Sequence, residues 1–505
     1  MPSNSHFLSE PTGWSRREAL KALGAAGLAS AVPGLSSSAR AGDRPSAPDQ
    51  PNILFIVTDD HAVGGLCGYG GRLLDTPHLD RIADGGIEFK NAFVTNAVCG
   101  PSRASMLTGK YSHKHGVRKN VFFARQKSFD GSQMTFPKRL QEVGYTTLHV
   151  GKWHLGSRPT GFDYWKKLTA QGRYKNPKFR ERTAPGKKPR TVRESGYVTD
   201  IITRDTIRAI EERTDDGPFC AFCWHKAPHR SWIPAERHED LFAEAPLPPP
   251  ATFGDDYHSR SSAAKHAKMR VAGMSDWRKE QPNGLTETER KHWNYQRYAK
   301  NYIRTVKAVD EGVGRLLDYL DDAGLADNTL VVYTSDNGMF VGEHGFYDKR
   351  FMYEESIRMP LLMRYPPLIE AGTVEERVVR NIDFAPTFLD LAGLEIPEGV
   401  QGRSLRPLLE QQDDPNWDEP LYYHYYEYPR PHRVRRHYGV RTDRYKLIYY
   451  YGIKEWELFD LKRDPHELRN VVNADRYQGI FQELKDELRA QRAKYGDQTG
   501  KPVPK

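Results

Sequence analysis

The sequence predicts an α/β protein: a large mixed, mostly parallel sheet sandwiched by helices, followed by a smaller antiparallel sheet with one helix. Three observations carry that expectation. Residues 53–57 (Ile-Leu-Phe-Ile-Val) and 330–333 (Leu-Val-Val-Tyr) are short unbroken apolar runs, as strands buried on both faces of a parallel sheet require. Between them strand-like and helix-like segments alternate, which is the pattern of helices packed on a sheet. From about residue 400 the composition turns to aromatic strand candidates, so the chain divides into 42–400 and a C-terminal α+β part, 401–505.

Taken in order, a Pro- and Ser-containing linker (43–51) leads into the first strand. Residues 102–107 read as helical, and Pro101 suits a first helical turn because it has no N–H to leave unpaired. A helix is expected over 138–143, a strand over 146–150, a helix over 199–213, a strand over 219–224 and a long helix over roughly 293–320. Residues 166–193, rich in Lys, Arg, Pro and Gly, read as a long solvated excursion, with a basic lip for a polyanion as the other reading. Residues 245–285 read as a loop with short helices. In the C-terminal part, 422–426, 445–451 and 456–461 are strand candidates and 477–495 a helix. The tyrosines and arginines of 422–445 suit either the core of that sheet or stacking on sugars.

The first 41 residues are expected to be an export signal and not part of the fold. Ser15-Arg16-Arg17-Glu18-Ala19-Leu20-Lys21 precedes a mildly apolar run over 22–32, and Ala39-Arg40-Ala41 offers a small-x-small cleavage site. This resembles a bacterial twin-arginine signal, which implies the twin-arginine export machinery as a partner and a periplasmic or secreted location. The apolar run is too short for a stable membrane anchor. Of the four cysteines, Cys67, Cys99, Cys220 and Cys223, the last two sit in a strand-like run and read as core. The 505 residues carry a net charge of +9 and a pI near 9.1, which suits acidic partners such as sulfated glycans or nucleic acid, and charge alone does not choose between them. No nucleic-acid module is visible, and no nucleic-acid partner is expected.

Chemistry gathers where strands are expected to end. Asp59-Asp60 follows the first strand and Asp336-Asn337 the strand near 334. Ligands bind outside the carboxyl ends of strands in open α/β sheets, so the two pairs can converge. Three carboxylates and an amide oxygen form an all-oxygen set suited to calcium or magnesium, not zinc. Lys152 and His154 in Gly-Lys-Trp-His-Leu-Gly, His229 in Ala-Pro-His and Lys349 in Asp-Lys also follow strands or the second acidic pair. Such cations can neutralise an anion and protonate a leaving oxygen.

Cys99-Gly100-Pro101-Ser102-Arg103, followed by Leu107-Thr108-Gly109, resembles the sequence that marks a cysteine for oxidation to formylglycine. With the motifs above, the chain resembles the type I sulfatases of the alkaline phosphatase superfamily over nearly its whole length after the signal. That resemblance implies an alkaline phosphatase-like fold and a formylglycine made from Cys99 by a formylglycine-generating enzyme. It also implies a calcium ion held by Asp59, Asp60, Asp336, Asn337 and the modified Cys99. Arg103 would stabilise the formylglycine, and Lys152, His154, His229 and Lys349 would hold and polarise a sulfate. The segments around Glu343, His344 and His437 most resemble bacterial sulfatases acting on 6-O-sulfated N-acetylglucosamine, and these three residues are expected in the substrate pocket. Three other readings stay open: a different glycan or aryl sulfatase, a phosphodiesterase or phosphonate monoester hydrolase of the same superfamily, and a glycan-binding protein with unmodified Cys99.

Overall fold

The computed structural model describes residues 50–65, 74–120, 127–415 and 417–504. The expected export signal and Cys67 lie outside them. Ten strands form the main sheet: β1 (Asn52–Thr58), β2 (Ile87–Phe89), β3 (Thr146–Gly151), β4 (Tyr164–Leu168), β5 (Lys178–Arg182), β6 (Arg190–Arg193), β7 (Phe219–Trp224), β8 (Thr329–Ser335), β9 (Leu361–Arg364) and β10 (Thr373–Glu375). Their spatial order is β10-β2-β9-β8-β1-β7-β3-β4-β5-β6. The central run from β8 to β4 is parallel throughout, and antiparallel strands flank it at β9 and β5. β1 and β8 are buried at every position, which is why both read as unbroken apolar runs.

Alternate residues of β1 feed two cores. Phe55 packs with Phe222, Phe384 and Phe388 on one face. Leu54 and Ile56 join Ile201, Ile202, Val309 and Leu316 on the other. The latter come from α2 (Val198–Glu211) and α3 (Glu287–Asp322). α3 starts earlier than its apolar pattern because Thr286 and Glu289 form a reciprocal capping box. α1 (Cys99–Thr108) also starts earlier than expected, at Cys99 itself, and is buried along its whole length.

Residues 166–193 are not a solvated excursion. β4, β5 and β6 extend the sheet as an antiparallel ribbon. Phe179 and Glu181 point inward while Lys178 and Arg180 stay exposed, and Lys166 is buried against Asp205 and Glu194 at 2.5 Å each. The density of charge hid a period-two alternation.

The C-terminal sheet is antiparallel, in the order β11 (Leu421–Tyr425), β12 (His437–Arg441), β13 (Tyr445–Tyr450), β14 (Glu455–Asp460). Tyr422, Tyr438 and Leu447 pack on Leu484 and Leu488 of α4 (Gln478–Lys494). Tyr423, Tyr425 and Tyr450 join the main core through the opposite face. Both faces are therefore buried, and the strand tyrosines are core. No helix among the described residues is long and apolar enough to cross a membrane.

Candidate functional site

Four parallel strands deliver their following residues to one edge of the sheet. β1 ends at Thr58 and presents Asp59 and Asp60; β8 ends at Ser335 and presents Asp336 and Asn337. The two loops are tied together, since Asp60 N–H donates to Asp336 Oδ1 at 3.1 Å. β3 ends at Gly151, whose φ is +116°, and a Cβ there would overlap the Trp224 carbonyl oxygen. Only glycine lets the chain turn against β7 at that point, and the turn carries Lys152 and His154 into the site. His229 follows β7, and Lys349 arrives on a short hairpin after β8.

These groups meet around Cys99, the first residue of α1, where backbone N–H groups and the helix dipole favour an oxyanion. Lys349 Nζ lies 3.5 Å from Cys99 Sγ and contacts Asp60. Lys152 contacts Asp59. Arg103, one helical turn further on, donates to Asp336 Oδ2 and to the Lys152 carbonyl, each at 2.7 Å, beneath the Trp224 ring. Atoms of Asp59, Asp60, Cys99 and His229 lie within 4.8 Å of one another. Eight of the ten residues read as catalytic or metal-binding (Asp59, Asp60, Cys99, Arg103, Lys152, His229, Asp336 and Lys349) thus share one cluster. Asn337 Nδ2 reaches Asp60 Oδ1 at 3.1 Å. His154 is buried beside them and feels the charges of Lys152 and Asp59.

Burial sets the protonation pattern. It opposes the charge of Asp59, yet the Lys152 ammonium and the Arg103 guanidinium hold that carboxyl well below its usual range. Asp60 is pushed up to about 7 by burial, which Lys349 opposes and the neighbouring Asp59 and Asp336 reinforce. Burial and the nearby Asp59 raise the Cys99 thiol well above its usual value. An unmodified Cys99 is therefore a neutral thiol, and the thiolate is the nucleophilic form. Burial also keeps His154 and His229 neutral, whereas Asp60 and the other anions outweigh burial and keep Lys349 charged.

The donor set fits a hard cation. Asp59 Oδ1 and Asn337 Oδ1 are buried and accept no hydrogen bond among the described residues. Bare buried oxygens of this kind are costly without a partner. They stand beside the Asp60 carboxylate, in an oxygen-rich set that matches calcium or magnesium.

A pocket of about 190 Å³ opens onto this cluster, with Asp60, His229 and Lys349 in its wall. Its wall also includes Asp348, Arg350 and His432. His432 Nε2 is 2.7 Å from Asp348 Oδ2, and Arg350 is paired with Glu427 at 2.5 Å. Sequence reading missed these three. Asp348 and Arg350 flank Lys349 and were within reach, but His432 comes from a loop far along the chain. The three residues expected in the substrate pocket are elsewhere. Glu343 lines a different and larger cavity of about 870 Å³. His344 is fully buried, 2.9 Å from Asp255, and His437 is buried among Tyr423, Tyr425 and Tyr450. Cavity size does not mark the chemistry here; the converging charged groups do.

Comparison with known proteins bears on this geometry. Residues 51–394 match the family model "Sulfatase", and residues 342–494 match "N-sulphoglucosamine sulphohydrolase, C-terminal". The chain is 43% identical to an N-acetylglucosamine-6-O-sulfatase of Bacteroides thetaiotaomicron, over 92% of this chain and 90% of that relative. It is 30% identical to human N-acetylglucosamine-6-sulfatase, over 73% of this chain and 66% of that one. Among solved structures it is similar to BT4656 in complex with its substrate D-glucosamine-2-N,6-O-disulfate. That match has a TM-score of 0.85 and 42% identity, over 90% of this chain and all of that one.

Proposed function

The chain belongs to the sulfatase family and is a sulfuric ester hydrolase of sulfated glycans; from that premise we propose that its substrate carries a 6-O-sulfated N-acetylglucosamine and that Cys99 acts as formylglycine. The observation that supports the reading is the convergence of Asp59, Asp60, Cys99 and His229 beside a small pocket that Asp60 and His229 line, in a chain so similar to an N-acetylglucosamine-6-O-sulfatase.

The residues would divide the work as follows. Asp59, Asp60, Asp336 and Asn337 hold a calcium ion, with magnesium as the alternative. Bound there, the cation supplies Lewis-acid polarisation of a sulfate oxygen. A hydrated aldehyde at position 99 supplies two hydroxyls on one carbon, one to attack sulfur and one whose collapse releases sulfate. Arg103 fixes residue 99 through α1 and balances Asp336. Lys152 and Lys349 neutralise the sulfate oxygens, and His154 backs them from beside Lys152. His229 is neutral in the free protein; an arriving anionic ester favours its protonated form, so it can hand that proton to the departing sugar oxygen. Asp348, Arg350 and His432 border the sugar side of the pocket and suit hydroxyl recognition.

Maturation of Cys99 requires a formylglycine-generating enzyme. The twin-arginine-like leader supports export to the periplasm or beyond as a folded protein, so Cys99 would be oxidised before or during folding. The division at residue 400 would then separate a catalytic part, 42–400, from a supporting α+β part, 401–505.

The test is sulfate release from defined 2-, 4- and 6-sulfated sugars, with a phosphate ester as control, by metal-loaded protein co-expressed with the maturing enzyme. Selective turnover of the 6-sulfated N-acetylglucosamine is expected. Faster turnover of another sulfate position would overturn the substrate assignment, and faster phosphate turnover the reaction.

A further inference from the structure

We propose that a cationic recess beside the central pocket, formed by Lys268, Arg430 and Arg433, is a subsite for an anionic group on the sugar adjoining the one that is desulfated. The proposal rests on the reading of the central pocket as the sulfate-ester site.

The recess has a volume of about 470 Å³ and is lined by Lys268, Pro429, Arg430, His432 and Arg433. It shares His432 with the central pocket. That imidazole is fixed from both sides: Nδ1 lies 3.1 Å from the Lys268 carbonyl oxygen, and Nε2 lies 2.7 Å from Asp348 Oδ2. Lys268 N–H in turn donates to the His432 carbonyl at 2.6 Å. The loop around residue 268 and the loop of 429–433 are thus locked together, and His432 lines both the recess and the pocket that holds Lys349.

Cations in the two cavities differ in their partners. In the central pocket Arg230 is paired with Asp276 at 2.6 Å and Arg350 with Glu427 at 2.5 Å. Lys268, Arg430 and Arg433 make no ion pair among the described residues. Three like charges around one concavity repel, and they raise the local concentration of anions. The backbone that presents them is strained as well. His432 and Arg433 are consecutive non-glycine residues with φ of +57° and +55°, a region that side chains rarely adopt and that tends to persist at ligand sites. Arginine forks match sulfate and carboxylate oxygens in pairs. A uronate or a second sulfate on the neighbouring unit of a sulfated glycan would present such oxygens.

The experiment compares two disaccharides that carry the same 6-sulfated N-acetylglucosamine, one joined to a hexuronate and one to the matching neutral hexose. With the mature, metal-loaded enzyme the expected ratio of kcat/KM is about tenfold in favour of the hexuronate, the size of one charge-assisted contact. In the Arg430→Gln/Arg433→Gln double variant the ratio should fall to near one; Lys268→Gln should lower it less, and Arg430→Lys should restore part of it. Equal rates in the wild type, or a full preference kept by the double variant, would overturn the subsite. A sulfated hexose in place of the hexuronate should give the same preference. A preference confined to a second sulfate on the same sugar, and lost in the variant, would overturn its placement on the adjoining unit. If neither disaccharide is hydrolysed, the substrate reading fails by itself, and calorimetric binding of the same pair decides the recess. Tighter binding of the hexuronate that the double variant loses supports it, and equal binding overturns it. Unchanged circular dichroism shows that the variant is folded.

Discussion

Two buried ionic clusters in this molecule are built from the same residue types and have opposite characters. In one, Glu354 is paired with Arg441 at 3.1 Å and with Lys446 at 2.7 Å, and Lys446 with Glu467 at 2.7 Å. His344 stands nearby between Asp255 and Glu355. Each of these charges has a counter-ion, and the cluster ties the C-terminal sheet to the main body. In the other, Asp59, Asp60, Asp336, Lys152 and Lys349 surround Cys99, and Asp59 Oδ1 and Asn337 Oδ1 have neither a hydrogen-bond nor an ion-pair partner among the described residues. Both clusters border a cavity, the first through Glu354, Glu355 and Arg441. The difference teaches that neither buried charge nor a cavity by itself marks a functional site; bare oxygens gathered beside a reactive side chain do.

That contrast can be broken at either cluster. Cys99→Ala should lower sulfate release by roughly a thousandfold or more, because the group that bonds to sulfur is gone, while the thermal midpoint stays near that of the wild type. Lys446→Met should do the reverse. Leaving Glu354 and Glu467 without their shared cation should cost about 3–5 kcal/mol of stability by denaturant unfolding, with kcat per folded molecule unchanged. A large activity loss in folded K446M would erase the distinction.

Metal sharpens the comparison. Calcium at a hundredfold excess over its Kd should stabilise the protein by roughly 3 kcal/mol in a thermal shift assay. An Asp59→Ala/Asn337→Ala variant should lose that shift. If it keeps the full shift, the ion is bound elsewhere.

The smallest expected effect concerns pH. Burial disfavours the His344 imidazolium, but Glu355 and Asp255 more than offset it and raise its pKa from the usual 6.5 to about 9. A raised pKa means that the folded state holds the proton more tightly. The contribution, at most on the order of 3 kcal/mol, is therefore complete below about pH 6.5 and lost as pH rises through about 9. His344→Gln should flatten stability over that interval; an unchanged slope would assign the pH dependence to other groups.

The same clusters show what sequence could reveal. Asp59, Asp60, Asp336 and Lys152 were legible because each directly follows a strand whose apolar run is itself legible. The strand-end rule then supplies their convergence. Cys99 was legible from the local motif. Glu343, His344 and His437 were misplaced because residue type does not tell a pocket wall from a closed polar network or an aromatic core. His437 lies on a strand whose two faces are both covered, and no local pattern announces the second cover. The ribbon of 164–193 was hidden by its charge, although Phe179 and Glu181 alternate as a half-buried strand should. His432 meets Asp348 only through folding, since neither residue lies near the other in sequence.

The central claim is that sulfate-ester hydrolysis runs through an oxidised Cys99. Conversion of thiol to aldehyde makes the peptide containing residue 99 lighter by about 18 Da, so its extent can be read by mass spectrometry. The most direct measurement is the rate of sulfate release from 6-O-sulfated N-acetylglucosamine across preparations that differ in that extent. The rate is predicted to rise in proportion to the converted fraction and to vanish with unconverted protein. A rate independent of conversion would contradict the account.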